Sequence, residues 1–359
     1  MASNGKWSIE LLKADGTVAL QELSVACFGE GAQSAEFFQQ RFFGAPGPDA
    51  DVVVARSGGQ LIGAQAVTYL EFLIGGRPET AGMFTDGMTH PEHRRKGIFR
   101  ALRLEAERRA FDKGASLLFT MPNDLSLPSF QHSPGWHVLP DRVLLARVLD
   151  VGGLLQDWGL PRPLARGTDA LTHWAVRNGS HLDTRGLEEA TELAAFAAEI
   201  DAMAAQTLDR LGGVVCARGQ SFLDWRFFKN PSWRYRYFVA RDASGSPCAY
   251  LVTAGERRMG TLLCYAVDML WTDKQSMVRL LDFAALALKN HGARVFGSIV
   301  SSPSLTRVLR GAGFSRVPPA VSKRSFHTAY AVHPSRQDVA AVARQGDAWF
   351  LSLADFDTI

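Results

Sequence analysis

From residue 98 onward the apolar positions Ile98, Phe99, Leu102, Ala106 and Ala110 recur at helical spacing, while Arg100, Arg103, Glu107, Arg108 and Lys113 fall on the other side. This spacing predicts a surface helix packed on a sheet. Gly114 is placed to stop it, and 115–121 (ASLLFTM) then reads as a buried strand. A second stretch repeats the pattern, with a helix over 277–291, Gly292 as the stop and a strand over 293–300.

The repetition extends beyond these two helices. EFFQQRFF at 36–43 resembles SFLDWRFF at 221–228, and Val54-Ala55-Arg56 before SGGQLIG resembles Val239-Ala240-Arg241 before DASGSPCA. Arg41 with Arg226 and Arg56 with Arg241 share a single offset. The strand around Asp86 (AGMFTDGM) then matches the one around Asp268 (LCYAVDML), and Gly135-Trp136 matches Gly313-Phe314, at slightly shorter offsets. Four landmarks in one order predict two copies of an α/β unit: helices, two strands joined by a Gly/Ser turn, a long apolar strand, an amphipathic helix, a short strand, and a helix ending in Gly-aromatic. A linker near 150–176 carries a Pro161-Arg162-Pro163 turn, and 347–359 reads as a last strand, completing the second sheet, with an acidic tail.

Composition narrows the functional classes. The 359 residues are 47% hydrophobic and 21% charged, enough to bury two sizeable cores. A net charge of +3 gives no ground for a nucleic-acid binder, so an anion site must come from a local basic cluster. Cys27, Cys216, Cys248 and Cys264 lie far apart without zinc-site spacing, so no metal is expected and a reduced, cytoplasmic protein fits. The start of the chain shows no secretory signal pattern, and no apolar run approaches the roughly 20 residues of a membrane span; contact with a membrane surface stays open.

The stretch with most chemical content is 85–102, TDGMTHPEHRRKGIFRAL, an apolar strand running through Pro91 and a basic turn into a helix. The first turn of a helix leaves N–H groups without partners at the positive end of its dipole, and a pyrophosphate can accept from them. Gly97 lets the backbone approach the phosphates, and Arg94, Arg95 and Lys96 add charge at the rim.

In these residues the chain resembles the GNAT superfamily of acyl-CoA N-acyltransferases, whose signature is Arg/Gln-x-x-Gly-x-Gly/Ala after a strand ending in x-Pro. Arg94-Arg95-Lys96-Gly97-Ile98-Phe99 matches its first four positions, with Phe99 where the family has a small residue. Asn123, Phe130 and Gly135-Trp136 fall where the family has Asn, Tyr and Gly-Phe. The resemblance implies an α/β (α+β) fold of two GNAT-like domains, each a mixed, largely antiparallel twisted sheet flanked by helices. They are expected at 1–149, which binds acyl-CoA, and at 177–359, a degenerate copy beyond the 150–176 linker. It further implies that Arg94 lies at the coenzyme, that Arg95, Lys96, Gly97, Ile98 and Phe99 offer N–H groups to the CoA pyrophosphate, and that Met88 and Thr89 pair with the pantetheine amides like an added strand. In the second copy the equivalent turn reads Thr272-Asp273-Lys274-Gln275-Ser276-Met277, where an acidic residue competes with phosphate.

Acyl transfer to an amine needs a neutral amine, a stabilised oxyanion and often a proton donor for the thiolate. Asp86 is the candidate base, its pKa expected to rise through burial in an apolar strand; the alternative is a structural acceptor role shared with Asp268. Where the family places its tyrosine acid stands Phe130, which has no proton to give. Ser129 is the first substitute, ahead of Ser126 and His132, with helix capping as its ordinary alternative use. Asn123 stands either in the catalytic group or as a brace for the gap between splayed strands. The aromatic stretch 225–238 would line an acceptor cleft between the halves or, more ordinarily, be core. The expected reaction moves an acyl group, acetyl first, from acyl-CoA to a primary amine of a small molecule, amino sugar or lipid precursor. The competing readings are a long-chain N-acyltransferase acting on a lipid amine and a non-catalytic acyl-CoA-binding regulator.

Overall fold

The computed structural model describes residues 7–159, 183–190, 193–318, 322 and 326–355. Pro161, Arg162 and Pro163 lie outside the described residues. The chain forms two compact units, and the strands are numbered along the chain. The first sheet runs in the order β1 (Ser8–Leu11), β2 (Asp51–Ser57), β3 (Gln60–Ile74), β4 (Arg77–Thr89), β5 (Leu117–Thr120), β15 (Thr328–Val332), β6 (Trp136–Leu139), with β9 (Val214–Cys216) on β3 and β16 (Trp349–Phe350) on β9. The second runs β14 (Ser315–Arg316), β7 (Val143–Val148), β13 (Val295–Val300), β12 (Thr261–Trp271), β11 (Pro247–Arg258), β10 (Tyr235–Arg241), β8 (Leu187–Ala190). Along these two strand orders, pairing is antiparallel except for β4 with β5 and β12 with β13.

Both copies of the repeat are present as expected, and the Lys274–Asn290 helix packs on its sheet as Ile98–Asp112 does on the other. The compact units, however, do not follow the linear boundaries at 149 and 177. The first unit takes 1–141, 212–232 and 325–349; the second takes 142–211, 233–324 and 350–359. The cause is a reciprocal exchange of strands. β7, from the first half, inserts between β13 and β14, and β15, from the second half, inserts between β5 and β6. Part of the presumed linker is also ordered, as the helix Val151–Asp157.

One other expectation changes, and the more ordinary reading of the aromatic stretch holds. β16 joins the first sheet through β9, so 349–350 does not complete the second. The aromatic stretch is core: Trp225 and Phe227 are buried in the first unit, Tyr237 and Phe238 in the second. The repeated RFF segments meet inside the first unit, where the Trp225 indole N–H donates to the Arg41 carbonyl at 3.1 Å.

Helices α1 (Thr17–Phe28) and α2 (Ala35–Phe43) cover one face of the first sheet, and α3 (Ile98–Asp112) covers the other. Leu20, Phe38, Val54, Ala64 and Met88 belong to the α1–α2 core, whereas Val53, Val67, Phe84, Leu102 and Trp136 belong to the α3 core. A Cβ on Gly63 of β3 would sit 2.8 Å from Ile98 Cγ2 and 2.9 Å from Leu102 Cδ1, so the absent side chain sets how closely α3 seats. Arg103, assigned by its spacing to the polar face, is in fact buried, with Nη1 donating to Glu107 at 3.1 Å and Nη2 to Ser133. Glu107 also accepts from the Trp136 indole at 2.9 Å, so a charged pair ties α3 to β6. Burial lowers the Arg103 pKa, with the neighbouring Glu107 opposing that shift.

The two chain crossings are tied by His327, which no motif singled out. It is buried just before β15, with Nδ1 at 2.6 Å from Asp141 and Nε2 at 2.8 Å from Asp124. A neutral imidazole has one N–H, so donation to both carboxylates requires the imidazolium. Burial alone would lower its pKa, but the hydrogen bonds to Asp124 and Asp141 outweigh burial and raise it.

Two measurements check these points. Gly63→Val should lower unfolding stability by about 1–3 kcal/mol through overpacking, read from the urea midpoint; an unchanged midpoint would mean α3 is not closely seated. Because the His327 pKa is raised on folding, its stabilising contribution is complete below the unfolded value near about 6.5 and is lost as pH rises through the folded value. The stability gap between wild type and His327→Gln should therefore be widest in mild acid and narrow as pH rises through the folded-state value; a pH-independent gap would contradict the charged clamp.

Candidate active site

β4 changes character at its last third. β3 and β4 pair in register up to Ala66 with Thr85 and resume at Ala64 with Met88, so β4 carries one extra residue, a bulge at Asp86-Gly87. Asp86 accordingly has φ 51. An extra residue reverses the alternation of faces: Phe84 points into the α3 core, yet Met88 points into the α1–α2 core. Gln65, buried opposite the bulge, donates from Nε2 to the Thr85 and Ala66 carbonyls at 3.0 and 3.1 Å.

On its other edge β4 pairs with β5 only from Ala81–Leu117 to Phe84–Thr120. From Thr85 the two parallel strands separate, leaving 85–89 without a strand neighbour on that side among the described residues. Thr89 pairs with Gly63 on the β3 side, and its carbonyl takes Arg94 Nε at 3.3 Å and the Cys27 thiol at 3.5 Å. Burial raises the Cys27 pKa, an effect that nearby Arg94 partly offsets.

Past Thr89 the chain makes a short turn, Pro91–His93, and enters the basic segment. Arg95 has φ 61 and Gly97 φ 79, so two left-handed residues bracket Lys96 before α3 begins at Ile98. A left-handed arginine costs on the order of 1 kcal/mol, and such strain concentrates at functional loops. Arg94, Arg95, Lys96 and Gly97 are exposed, Ile98 is buried and Phe99 is half-buried. Space around a Cβ on Gly97 is open, so its requirement is conformational and lies in the positive φ. The N–H groups of the first turn of α3 have no intrahelical acceptors. Phe99 turns inward against Phe130, with ring centroids 6.4 Å apart, and lies against Gly87 at the bulge.

Asn123 has a structural occupation. Its Oδ1 accepts from the backbone N–H groups of Leu125 and Ser126 at 3.1 and 2.9 Å, holding the turn that leads into the short helix α4 (Leu127–Gln131). That helix carries Ser129 and the buried Phe130, which packs on Trp136 at 4.7 Å. Of the candidate donors, Ser126 Oγ is engaged with Asn123 and His132 Nδ1 lies 2.8 Å from the Pro128 carbonyl. Ser129 Oγ makes no hydrogen bond among the described residues. Asp86 is not enclosed by an apolar wall: on the α1–α2 side, Arg41 Nε lies 3.5 Å from its Oδ2. His90, Glu92 and His93 bring potential ligand atoms within 4.8 Å on the Pro91–His93 turn, a set able to hold a divalent ion although acyl transfer calls on none.

The second unit repeats the splay and fills it. β12 leaves β13 after Tyr265–Gly297. Ser301, beyond β13, accepts from the Leu351 N–H and donates to the Leu351 carbonyl, both at 2.7 Å, and Ser352 Oγ donates to Asp268 at 2.7 Å. Residues 351–352 thus bridge the separated strands. Asp268 is fully buried and also takes the Tyr250 hydroxyl at 2.7 Å, a structural role unlike the half-buried setting of Asp86. At the helix start, Asp273 accepts from the Ser276 N–H at 2.7 Å, placing the chain's own carboxylate on the N-terminus. Burial acts to raise the Asp273 pKa, but hydrogen bonds from Ser276 and Gln275 bring it below the usual range.

Residues 8–139 match the family model described as an acetyltransferase (GNAT) domain. No curated protein matches this sequence. Among solved structures, the fold is similar to Saccharomyces cerevisiae N-myristoyltransferase with bound myristoyl-CoA, at 14% identity and TM-score 0.61, covering 92% of this chain and 84% of that one. It is also similar to a GCN5-related N-acetyltransferase from Anabaena variabilis, at 12% identity and TM-score 0.62, covering 91% and 73%. A probable N-acyltransferase from Enterococcus faecalis gives 12% identity and TM-score 0.62, covering 90% and 72%. Residues 8–139 thus match an acetyltransferase (GNAT) domain model, and the chain as a whole shares the fold of these solved structures.

Proposed function

We propose that this chain transfers a short acyl group, acetyl first, from acyl-CoA to a primary amine by direct attack in a ternary complex. The observation that carries the reading is the departure of β4 from β5 immediately before the left-handed basic turn and α3. A coenzyme lying there would extend its pantetheine amides along Met88 and Thr89 as an added strand. Its pyrophosphate would accept from the N–H groups of 95–99, with Arg94, Arg95 and Lys96 supplying charge.

The amine attacks the thioester carbonyl, forming the C–N bond, and the negative charge collects on the carbonyl oxygen near the backbone N–H groups of the bulge. Asp86 takes the amine proton. Collapse of the intermediate breaks the C–S bond, and the thiolate is a tolerable leaving group near neutral pH. Since Phe130 cannot protonate it, the Ser129 hydroxyl, acting through water, is the available donor. A short acyl group is favoured because Phe84, Phe99, Phe130 and Trp136 stack into a filled aromatic wall behind the splay. Cys27, Cys216, Cys248 and Cys264 as thiols suit a reducing, cytoplasmic setting. Among the described residues no helix is long and apolar enough to cross a membrane.

Calorimetric titration with CoA tests the site: Gly97→Glu should weaken binding by about 100-fold or more, ~2.7 kcal/mol, whereas Ser276→Glu should leave it unchanged. Equal losses would contradict a single coenzyme site. Thiol release across an amine panel should be faster with acetyl-CoA than with palmitoyl-CoA. The reverse order would favour the long-chain reading, and intact CoA binding without turnover of either donor would favour a regulatory protein.

A further inference from the structure

α2 carries a cation in an unusual state. Arg41 is 2% exposed, and its guanidinium makes no hydrogen bond among the described residues; Nε and Nη2 are both buried without an acceptor. Its contacts are a single 3.5 Å approach of Nε to Asp86 Oδ2 and the Phe37 ring, 5.8 Å away. A guanidinium has five N–H donors in a planar fork suited to a two-oxygen anion, and leaving buried donors unmade costs about 1–3 kcal/mol or more for a charged group. Arg103, another buried arginine of the same unit, leaves only Nε without an acceptor, its Nη1 donating to Glu107 and its Nη2 to Ser133. Arg41 differs from it in making no guanidinium hydrogen bond at all among the described residues.

The place matters as much as the deficit. Asp86 stands in the bulge of β4, and the reversal of faces there turns it toward α2. Asp86 is half-buried at the rim, and Arg41 lies behind it. A negative and a positive group thus lie side by side on the face opposite α3. Resting on the acyltransfer reading of this site, we propose that the Arg41–Asp86 pair is an acceptor subsite for a small zwitterion, a primary amine bearing an oxyanion a few bonds away. The ammonium docks on Asp86, where it gives up its proton before attack, and the oxyanion completes the fork of Arg41. A carboxylate, as in an amino acid, and a phosphate monoester, as in a phosphorylated amino alcohol, share this chemistry. Because Arg41 is enclosed, entry of the oxyanion requires α1 and α2 to part from β4, so acceptor binding should order or shift these helices.

The test compares acceptors that differ only in the oxyanion: an amino acid against its decarboxylated amine, and a phosphorylated amino alcohol against the free amino alcohol. Kinetics of CoA release with acetyl-CoA and thermal-shift binding to the CoA-saturated protein are both read. Wild type should favour at least one zwitterion over its neutral-tailed partner by about tenfold or more in kcat/KM, with a matching stabilisation. Which pair discriminates identifies carboxylate or phosphate. Arg41→Met should erase the preference by lowering the zwitterion rate more than the plain-amine rate, Arg41→Lys should restore part of it, and unchanged CoA affinity in both variants would show that the domain is folded. Equal use of both members of each pair by wild type, or equal losses for both in Arg41→Met, would overturn the inference while leaving acyltransfer intact. Should no amine release CoA, the activity reading fails, and the subsite is then judged by the thermal shift alone: stabilisation of wild type but not Arg41→Met supports it, and none in either refutes it.

Discussion

One extra residue in β4 organises the first unit. Without it, Phe84, Asp86 and Met88 would all point to the α3 side. With the bulge at Asp86-Gly87, Phe84 remains in the α3 core while Asp86 and Met88 face α1 and α2. The same strand leaves β5 at this point and leads through a short basic turn to the helix whose first turn has open N–H groups. An unpaired strand edge, a helix N-terminus and a carboxylate are brought together by a single irregularity in a ladder.

The two halves differ in what occupies the same gap. Both keep the sheet, the bulge and the separated parallel strands. In the second half the gap is bridged by Leu351 and Ser352, and the helix start is capped by Asp273. Each replacement supplies internally what a bound anion or an added strand would supply from outside, so the polar groups are satisfied without a ligand.

Much of the fold could be read from the sequence because its signals are local. Helical periodicity placed α3 and its counterpart, the shared offsets of Arg41 with Arg226 and Arg56 with Arg241 exposed the duplication, and Arg94–Gly97 marked the basic turn. What stayed hidden depends on contacts distant in sequence. The exchange of β7 and β15 leaves the amphipathic pattern of each strand unchanged, so the 149 and 177 boundaries followed the repeat and missed the compact units. Arg103 scored as polar surface because nothing nearby announces that Glu107, Ser133 and Trp136 would enclose it. His327 belongs to no motif; its role arises from two aspartates far from it in the chain. The surroundings of Asp86 were misjudged for the same reason, since an apolar strand was visible and the arginine brought up by α2 was not.

In the proposed complex a coenzyme binds along 85–89 and at the start of α3, and nowhere in the second half. Hydrogen–deuterium exchange with and without CoA tests it directly, because pantetheine and pyrophosphate would cover amides that otherwise face solvent. The account requires slowed exchange across 85–99 with 266–278 unchanged. Protection at 266–278, or none at 85–99 under saturating CoA, would contradict it.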